Sequence, residues 1–525
     1  MDLKSYKKRN HKLSVILCFI LCIIFLGELF YLFYNTGIVE GFNQRADKLK
    51  AYVIASRDDQ TILPGDFFDR NGNILTKAAW KTIGQGKENE KAGSRKVDIT
   101  YTDGKAYAQL LGYTGNRTLN LSAESAKDVV GQRGGYRLMN FLDDETYWRE
   151  NGLYSTVGKD GGKGQDVTLT LDHKIQLKVY EILAKEMNTD TEKGSAVVLD
   201  VATGEILSMV AFPTYDFNNR SKAIAQMEWA DKNMKYLEPG YPVSYKGATA
   251  PGSIFKVLLA AALLEHGMEE FSVLDKTFTI DGWNCKNAYG SPGDSVDYYK
   301  GLERSSNVFY GQAALALGKD KIRETAEKFM LYEDQNKKDG KDDTYLKLDF
   351  GNVQYNWDLE VTEKEIAQTG FGQGKTELTT IYAAMITQAI ANDGTMMKPY
   401  LIQSLIDANG KVVYKGKPEV LSEAVSKSTA DKVSEAMAAA VKYTTKHHKG
   451  MENTAQILEK YQVAGKTGTA QTGQEIGPTN AWFISFAPVD NPKYVVVVNQ
   501  CRTNKGGYQM MDVASSIYQY LFEEK

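Results

Sequence analysis

The sequence predicts an α+β fold: an N-terminal transmembrane helix, a mixed domain after it, and a larger domain holding one antiparallel sheet covered by helices. Two patterns in residues 161–525 predict the sheet. Strand signals cluster at both ends of that stretch, and residues from about 250 to 450 are mainly helical. A sheet whose strands lie so far apart in sequence has to close by bringing the two ends of the domain together. A third pattern sets the anchor apart: the 22 residues Leu13 to Tyr34 are interrupted by a single charge, Glu28.

Length and composition bound the possibilities. The 525 residues, 42% hydrophobic and 25% charged, are those of a folded protein of several domains. A net charge of −3 carries no electrostatic footprint of a nucleic-acid partner. Four cysteines are too few for a disulfide framework. Cys18 and Cys22 lie in the apolar run, and Cys285 and Cys501, far apart in sequence, are expected as free thiols, with a disulfide between them as the alternative. No CxxC or HExxH occurs, so no metal and no other cofactor is expected. The adjacent pair His447-His448, in a Lys/Gly-rich stretch, reads as an exposed loop.

In chain order, residues 1–12 carry Lys4, Lys7, Lys8, Arg9 and Lys12, a basic flank that places the N-terminus in the cytoplasm. The span over 13–35 follows, with no small-residue cleavage site after it, so an uncleaved anchor is expected, with the rest of the chain outside the cell. Residues 36–160 are mixed and polar, with a strand at Val97 to Tyr101 and turns at Asn71-Gly72 and Asp103-Gly104. Lys163 to Thr170 alternates as a strand opening the second domain, and Asp172 caps a helix with Ile175, Val179, Ile182 and Leu183 on one face. Gly194 to Ala211 reads as a hairpin, turning at Ala202-Thr203-Gly204. Gln335 to Thr344 is a charged, solvated excursion. Strands return at Val463 to Ala470, Ala481 to Phe486 and Tyr494 to Val498, and a helix from about Met510 to Phe522 closes the chain.

Chemistry concentrates in three short motifs. Ala250-Pro251-Gly252-Ser253-Ile254-Phe255-Lys256 leads into a run that is apolar on every face and is expected to be buried all round. Ser253 and Lys256 are three apart, so the amine reaches the hydroxyl across one helical turn, and burial makes that amine a base. A lone S-x-x-K is weak, since Ser5 and Lys8 make another in the basic tail. Ser305-Ser306-Asn307, 52 residues after Ser253, is the S-x-N of the chain, and Lys466-Thr467-Gly468-Thr469 its K-T-G. A cap explains the second motif by itself and a glycine bulge the third. Gly370 to Thr376 is one residue short of a phosphate-binding loop.

Together, in this order and on helix, helical loop and strand, the three resemble the penicillin-recognising serine acyltransferases. Gly65-Asp66-Phe67-Phe68-Asp69-Arg70-Asn71-Gly72, Leu110 to Gly115, Asp166 to Gln176, Leu199 to Leu207 and Gly372-Gln373-Gly374 are similar to segments of class B penicillin-binding proteins, the monofunctional peptidoglycan D,D-transpeptidases. The resemblance departs at Pro64, where an arginine is usual, and at Leu378-Thr379-Thr380, which lacks the usual proline. Lys446 to Lys460 looks like an enlarged loop.

The resemblance implies a membrane helix, an elongated pedestal over 36–160 and a β-lactamase-like transpeptidase domain with a five-stranded sheet. It implies that Ser253 attacks a carbonyl carbon while Lys256 takes its proton, with backbone N–H groups of Ser253 and Thr469 as an oxyanion hole. Ser305 then relays a proton to the leaving amine, and Asn307 binds a substrate amide and steadies Lys256. Lys466, Thr467 and Thr469 face a terminal carboxylate, and Gly468 lets the substrate backbone lie along the strand. The implied partners are peptidoglycan stem peptides, β-lactams, the membrane of a bacterium and a membrane glycosyltransferase of a wall-synthesis complex. A D,D-carboxypeptidase and a catalytically weak structural member of such a complex are the rival readings. A bifunctional enzyme would need a glycosyltransferase domain, for which residues 36–160 are too few.

Overall fold

The computed structural model describes residues 65–82, 95–111, 166–187, 192–237, 243–245, 247–288, 290–331, 361–374, 376–406, 409–475 and 477–524. The span expected over 13–35 and the charged excursion at 335–344 lie outside these. Among the described residues no helix is long and apolar enough to cross a membrane.

The expected antiparallel sheet forms, with five strands. They are β1 (Lys193–Asp200), β2 (Ile206–Phe212), β3 (Ala464–Gln471), β4 (Thr479–Ala487) and β5 (Tyr494–Thr503), in the spatial order β3-β4-β5-β1-β2. Residues from the two ends of the domain therefore pair at its centre, as Val497 does with Val197. The strands read as continuous apolar runs because helices cover both faces. Period-two alternation then deals successive residues to two cores. Val197, Leu199, Val495 and Val497 belong to one, and Ala196, Val198, Val496 and Val498 to the other.

α1 (His173–Glu186) begins at Asp172, whose carboxylate accepts from Lys174 N and Ile175 N, the cap expected from the sequence. α2 (Lys256–Glu265) is buried from Lys256 to Leu263 on every side, again as expected. α3 (Tyr298–Glu303) and α4 (Asn307–Lys328) follow, joined at Arg304-Ser305-Ser306. α5 (Thr380–Ala391) and α2 share one core with the sheet, while α1 and the terminal helix share the other. α6 (Lys427–His447) packs on β3 and α2.

Four expectations change. Lys446 to Lys460 is not an enlarged loop: α6 runs through His447, and Glu452–Lys460 forms α7. α7 is held because Leu458 is buried with Met510 in the second core and Thr454 Oγ1 donates to Asp512 Oδ1 at 2.5 Å. Asp512 lies in α8 (Gly507–Glu523), the terminal helix. His447 consequently ends a helix and stacks on Tyr443, while His448 stacks on Tyr508.

The strand opening the second domain, Asp166–Leu169, also goes elsewhere. It pairs in parallel with Phe67–Phe68, in a six-stranded sheet that adds Ile74–Thr82, Arg95–Tyr101, Ile402–Ile406 and Val412–Lys415. Asp66 N donates to Asp166 Oδ1 at 2.7 Å and Val167 N to Asp66 O at 2.9 Å, which fixes the register. The last two strands of that sheet lie in the stretch read as mainly helical. They pair with each other as a local hairpin, Leu405 opposite Tyr414, on either side of Asn409-Gly410, and only Ile402–Ile406 also reaches a partner more than two hundred residues away, Asp166–Leu169.

Candidate active site

The S-x-x-K segment folds as a 3₁₀ turn over Gly252–Phe255 that runs directly into α2. Gly252 has φ +58°, a left-handed conformation, and its N–H donates to Gly372 O at 2.9 Å. A Cβ on Gly252 would meet Ala470 of β3 at 3.1 Å. From the other side, a Cβ on Gly468 would come within 2.6 Å of Pro251 O. Trp482 Nε1 donates to Ala250 O at 3.0 Å. The turn carrying Ser253 is thus pressed onto the K-T-G strand, and Gly468 is required by that contact. Ser253 itself is half-buried.

Burial along β3 alternates, so the K-T-G residues divide between two faces. Lys466, Gly468 and Ala470 point inward, whereas Thr467 is half-buried and Thr469 exposed. Thr469 Oγ1 accepts from Gly507 N at 2.9 Å, at the start of α8. Its own proton stays available to an acceptor in the cleft.

The S-x-N motif sits in the junction between two helices. Ser306 N donates to Gly301 O at 2.9 Å and Ser305 N to Leu302 O at 3.3 Å, the paired bonds that close a helix on a left-handed residue. That residue is Ser305, with φ +57°, where glycine is usual. The next residue, Ser306, caps α4 by accepting from Phe309 N. One helix end and one helix start therefore fall on successive residues, which aims Ser305 and Asn307 at the same spot.

That spot is the amine of Lys256. Lys256 Nζ donates to Ser305 O at 2.7 Å and to Asn307 Oδ1 at 2.8 Å, and lies 3.2 Å from Ser305 Oγ. Lys466 Nζ reaches the same hydroxyl at 3.0 Å and donates to Thr467 O at 3.1 Å. Both lysines are fully buried. Burial, then the neighbouring charge of Lys466, holds the Lys256 amine well below the usual lysine range, while Cys285 and Asp275 pull weakly the other way. Burial brings Lys466 down to about 7. Two carbonyl-type oxygens consume the two N–H bonds of a neutral Lys256, and its lone pair is left for a hydroxyl. An amine held neutral in this way can accept a proton.

Five of the eight residues singled out in the sequence are joined directly by these bonds: Lys256, Ser305, Asn307, Lys466 and Thr467. Ser253, Gly468 and Thr469 are brought beside them by the packing of turn and strand. Sequence reading missed Asp275 and Asn287 and read Cys285 only as a free thiol, not as a neighbour of Lys256. Cys285 and Cys501 are free and buried, and burial pushes the Cys285 thiol up to about 12. Among the described residues no cluster of His, Cys, Asp and Glu could hold a metal ion.

Residues 194–520 match the family described as the penicillin binding protein transpeptidase domain. The chain belongs to this family, among its class B members. It is similar to the peptidoglycan D,D-transpeptidase PbpA of Mycolicibacterium smegmatis, 27% identical over 412 residues that cover 76% of this chain and 78% of the relative. Penicillin-binding protein 3 of Bacillus subtilis is 26% identical over 66% of this chain and 50% of its own. Among solved structures, the D,D-transpeptidase domain of a peptidoglycan glycosyltransferase from Eggerthella lenta superposes with TM-score 0.65 at 26% identity, covering 88% of this chain and 98% of the other. Penicillin-binding protein A of M. tuberculosis, solved as a ceftriaxone acyl-enzyme, gives 0.67 at 24% identity, covering 89% of this chain and all of its own, a likeness of fold. The class B penicillin-binding fold is thus shared well beyond the residues that carry the three motifs.

Proposed function

We propose that this class B penicillin-binding protein is a peptidoglycan D,D-transpeptidase that works through an acyl-enzyme on Ser253 and is covalently acylated by β-lactams. Two buried amines converging on the Ser305 hydroxyl, beside the turn that carries Ser253, is the observation that supports this reading most strongly. Lys256 accepts the Ser253 proton as Oγ attacks the carbonyl of a terminal D-Ala-D-Ala. The Ser253–carbon bond forms, the C–N bond breaks, and Ser305 passes a proton to the departing D-alanine amine. An amine of a second stem peptide then attacks the ester, restoring Ser253 and closing the cross-link. Backbone N–H groups of Ser253 and Thr469 form the oxyanion hole. Thr467 and Thr469 offer hydroxyls to the substrate carboxylate, with Lys466 supplying charge from beneath the strand.

The same reading places residues 13–35 across a bacterial plasma membrane, with the basic tail in the cytoplasm and residues 36–160 as the pedestal through which a membrane glycosyltransferase is met. The basic flank and an apolar run broken only by Glu28 support it. The test of the activity is incubation of the purified chain with a D-Ala-D-Ala donor, with and without an amine acceptor. Cross-linked product should dominate at saturating acceptor. Hydrolysis that dominates there makes the protein a carboxypeptidase instead.

A further inference from the structure

The segment between α2 and α3 folds as two small hairpins. Val273–Leu274 pairs with Ser295–Val296, and Phe278–Ile280 pairs with Trp283–Cys285. Its polar side chains turn inward to the S-x-N junction. Asp275, buried, accepts at Oδ1 from Asn287 Nδ2 at 2.8 Å and from Ser306 Oγ at 2.9 Å. Asn287 Oδ1 in turn accepts from Asn307 N at 2.8 Å and Val308 N at 3.0 Å. With Phe309 N on Ser306 Oγ at 3.0 Å, the first three N–H groups of α4 are all taken by side chains.

The Asn307 side chain is fixed from the same segment. Its Nδ2 donates to Lys286 O at 3.2 Å, which leaves only Oδ1 to face Lys256, at 2.8 Å. A flipped amide would set two donors against the amine and lose the carbonyl contact. Backbone and side chain of Asn307 are thus both set by residues 286–287, and Asp275 sets Asn287.

We propose that Asn287 and Asp275 are positioning residues for acyl transfer, holding the S-x-N turn so that Asn307 and Ser305 present acceptors to Lys256. This rests on the reading of Ser253 and Lys256 given above and adds two residues to it. Neither touches the reacting atoms. Their effect passes through Asn307 and Ser306, and a shift of the turn by an ångström misplaces the base for every donor.

The experiment compares the full chain in detergent with Asn287→Ala, Asp275→Ala, Asp275→Asn and the exchanged pair Asp275→Asn with Asn287→Asp. The acylation rate constant for a fluorescent penicillin is measured on the folded fraction, alongside hydrogen exchange at the Asn307 and Val308 amides. Asn287→Ala and Asp275→Ala should acylate about 10- to 100-fold more slowly, with faster exchange at both amides. Asp275→Asn keeps the accepting oxygen and should stay within about threefold of the parent. The exchanged pair keeps one donor–acceptor link between positions 275 and 287 and guards against an alanine variant that fails to fold; it should restore both readouts. Alanine variants that only lower the melting temperature, acylating within about threefold of the parent, overturn the proposal. A parent chain that does not acylate at all contradicts the nucleophile instead, and amide exchange still reports whether Asn287 holds the turn.

Discussion

Ser305 Oγ and Lys466 Nζ meet at 3.0 Å although 161 positions separate them, and the contact is made by a serine in a left-handed backbone conformation. A β-carbon in that conformation costs about 1–2 kcal/mol relative to glycine. The hydroxyl is the one group the strain retains, and it stands between the two amines that set the protonation of the site.

Replacing Ser305 separates strain from chemistry. Ser305→Ala and Ser305→Gly both lose the hydroxyl, but only glycine relieves the backbone. The glycine variant should be the more stable of the two by about 1 kcal/mol in chemical denaturation, and both should acylate poorly with penicillin. Equal stabilities would show that the junction bears no strain at Ser305.

Lys466 makes the stability of the fold depend on pH. Burial lowers its amine from 10.5 to about 7, so between those values the unfolded chain holds a proton that the folded chain has released. The penalty is fully present below about 7 and fades as pH rises toward the unfolded value. In Lys466→Met this contribution disappears, so the variant's gain over the parent in melting temperature should be larger at pH 6.5 than at pH 9. The same gain at both pH values would mean that the amine titrates normally. Lys466→Met should also slow acylation, since the site loses its second amine.

Gly468 tests the contact between motif and motif. A methyl group there has backbone, Pro251 O, at 2.6 Å on one side and Ile254 Cγ2 at 2.9 Å on another. Gly468→Ala should therefore cost about 1–3 kcal/mol of stability and push the turn carrying Ser253 off β3, lowering acylation by β-lactams. Unaltered stability and acylation in this variant would argue against the packing described.

Legibility in the sequence followed the reach of the interactions. The apolar runs of β1, β2, β4 and β5, the Asp172 cap and the all-apolar face of α2 are local patterns and could be read directly. The three motifs were readable as residue types in order. Their convergence was implied by the family resemblance and not by any local pattern, because Lys256 and Lys466 meet Ser305 only once distant segments pack together. The pairing of Asp166–Leu169 with Phe67–Phe68 and Ile402–Ile406 escaped for the same reason, whereas the hairpin of Ile402–Ile406 with Val412–Lys415 is local and lay in a stretch read as helical. α7 looked like a loop because His447 to Gly450 interrupts the helical pattern and its packing partner, α8, lies some fifty residues on. Asp275 and Asn287 gave no signal at all: a lone Asp and a lone Asn in a turn-rich stretch become meaningful only against the start of α4.

The central claim is that Ser253 is the nucleophile, and the covalent adduct tests it most directly. The full chain in detergent is treated with penicillin and examined by intact-mass and peptide mass spectrometry, with Ser253→Ala beside it. One penicilloyl group should appear on the peptide carrying Ser253, and none on the variant, whose thermal unfolding should match the parent because only a half-buried hydroxyl is lost. An adduct that persists in Ser253→Ala, or one that maps to another residue in the parent, would contradict the account.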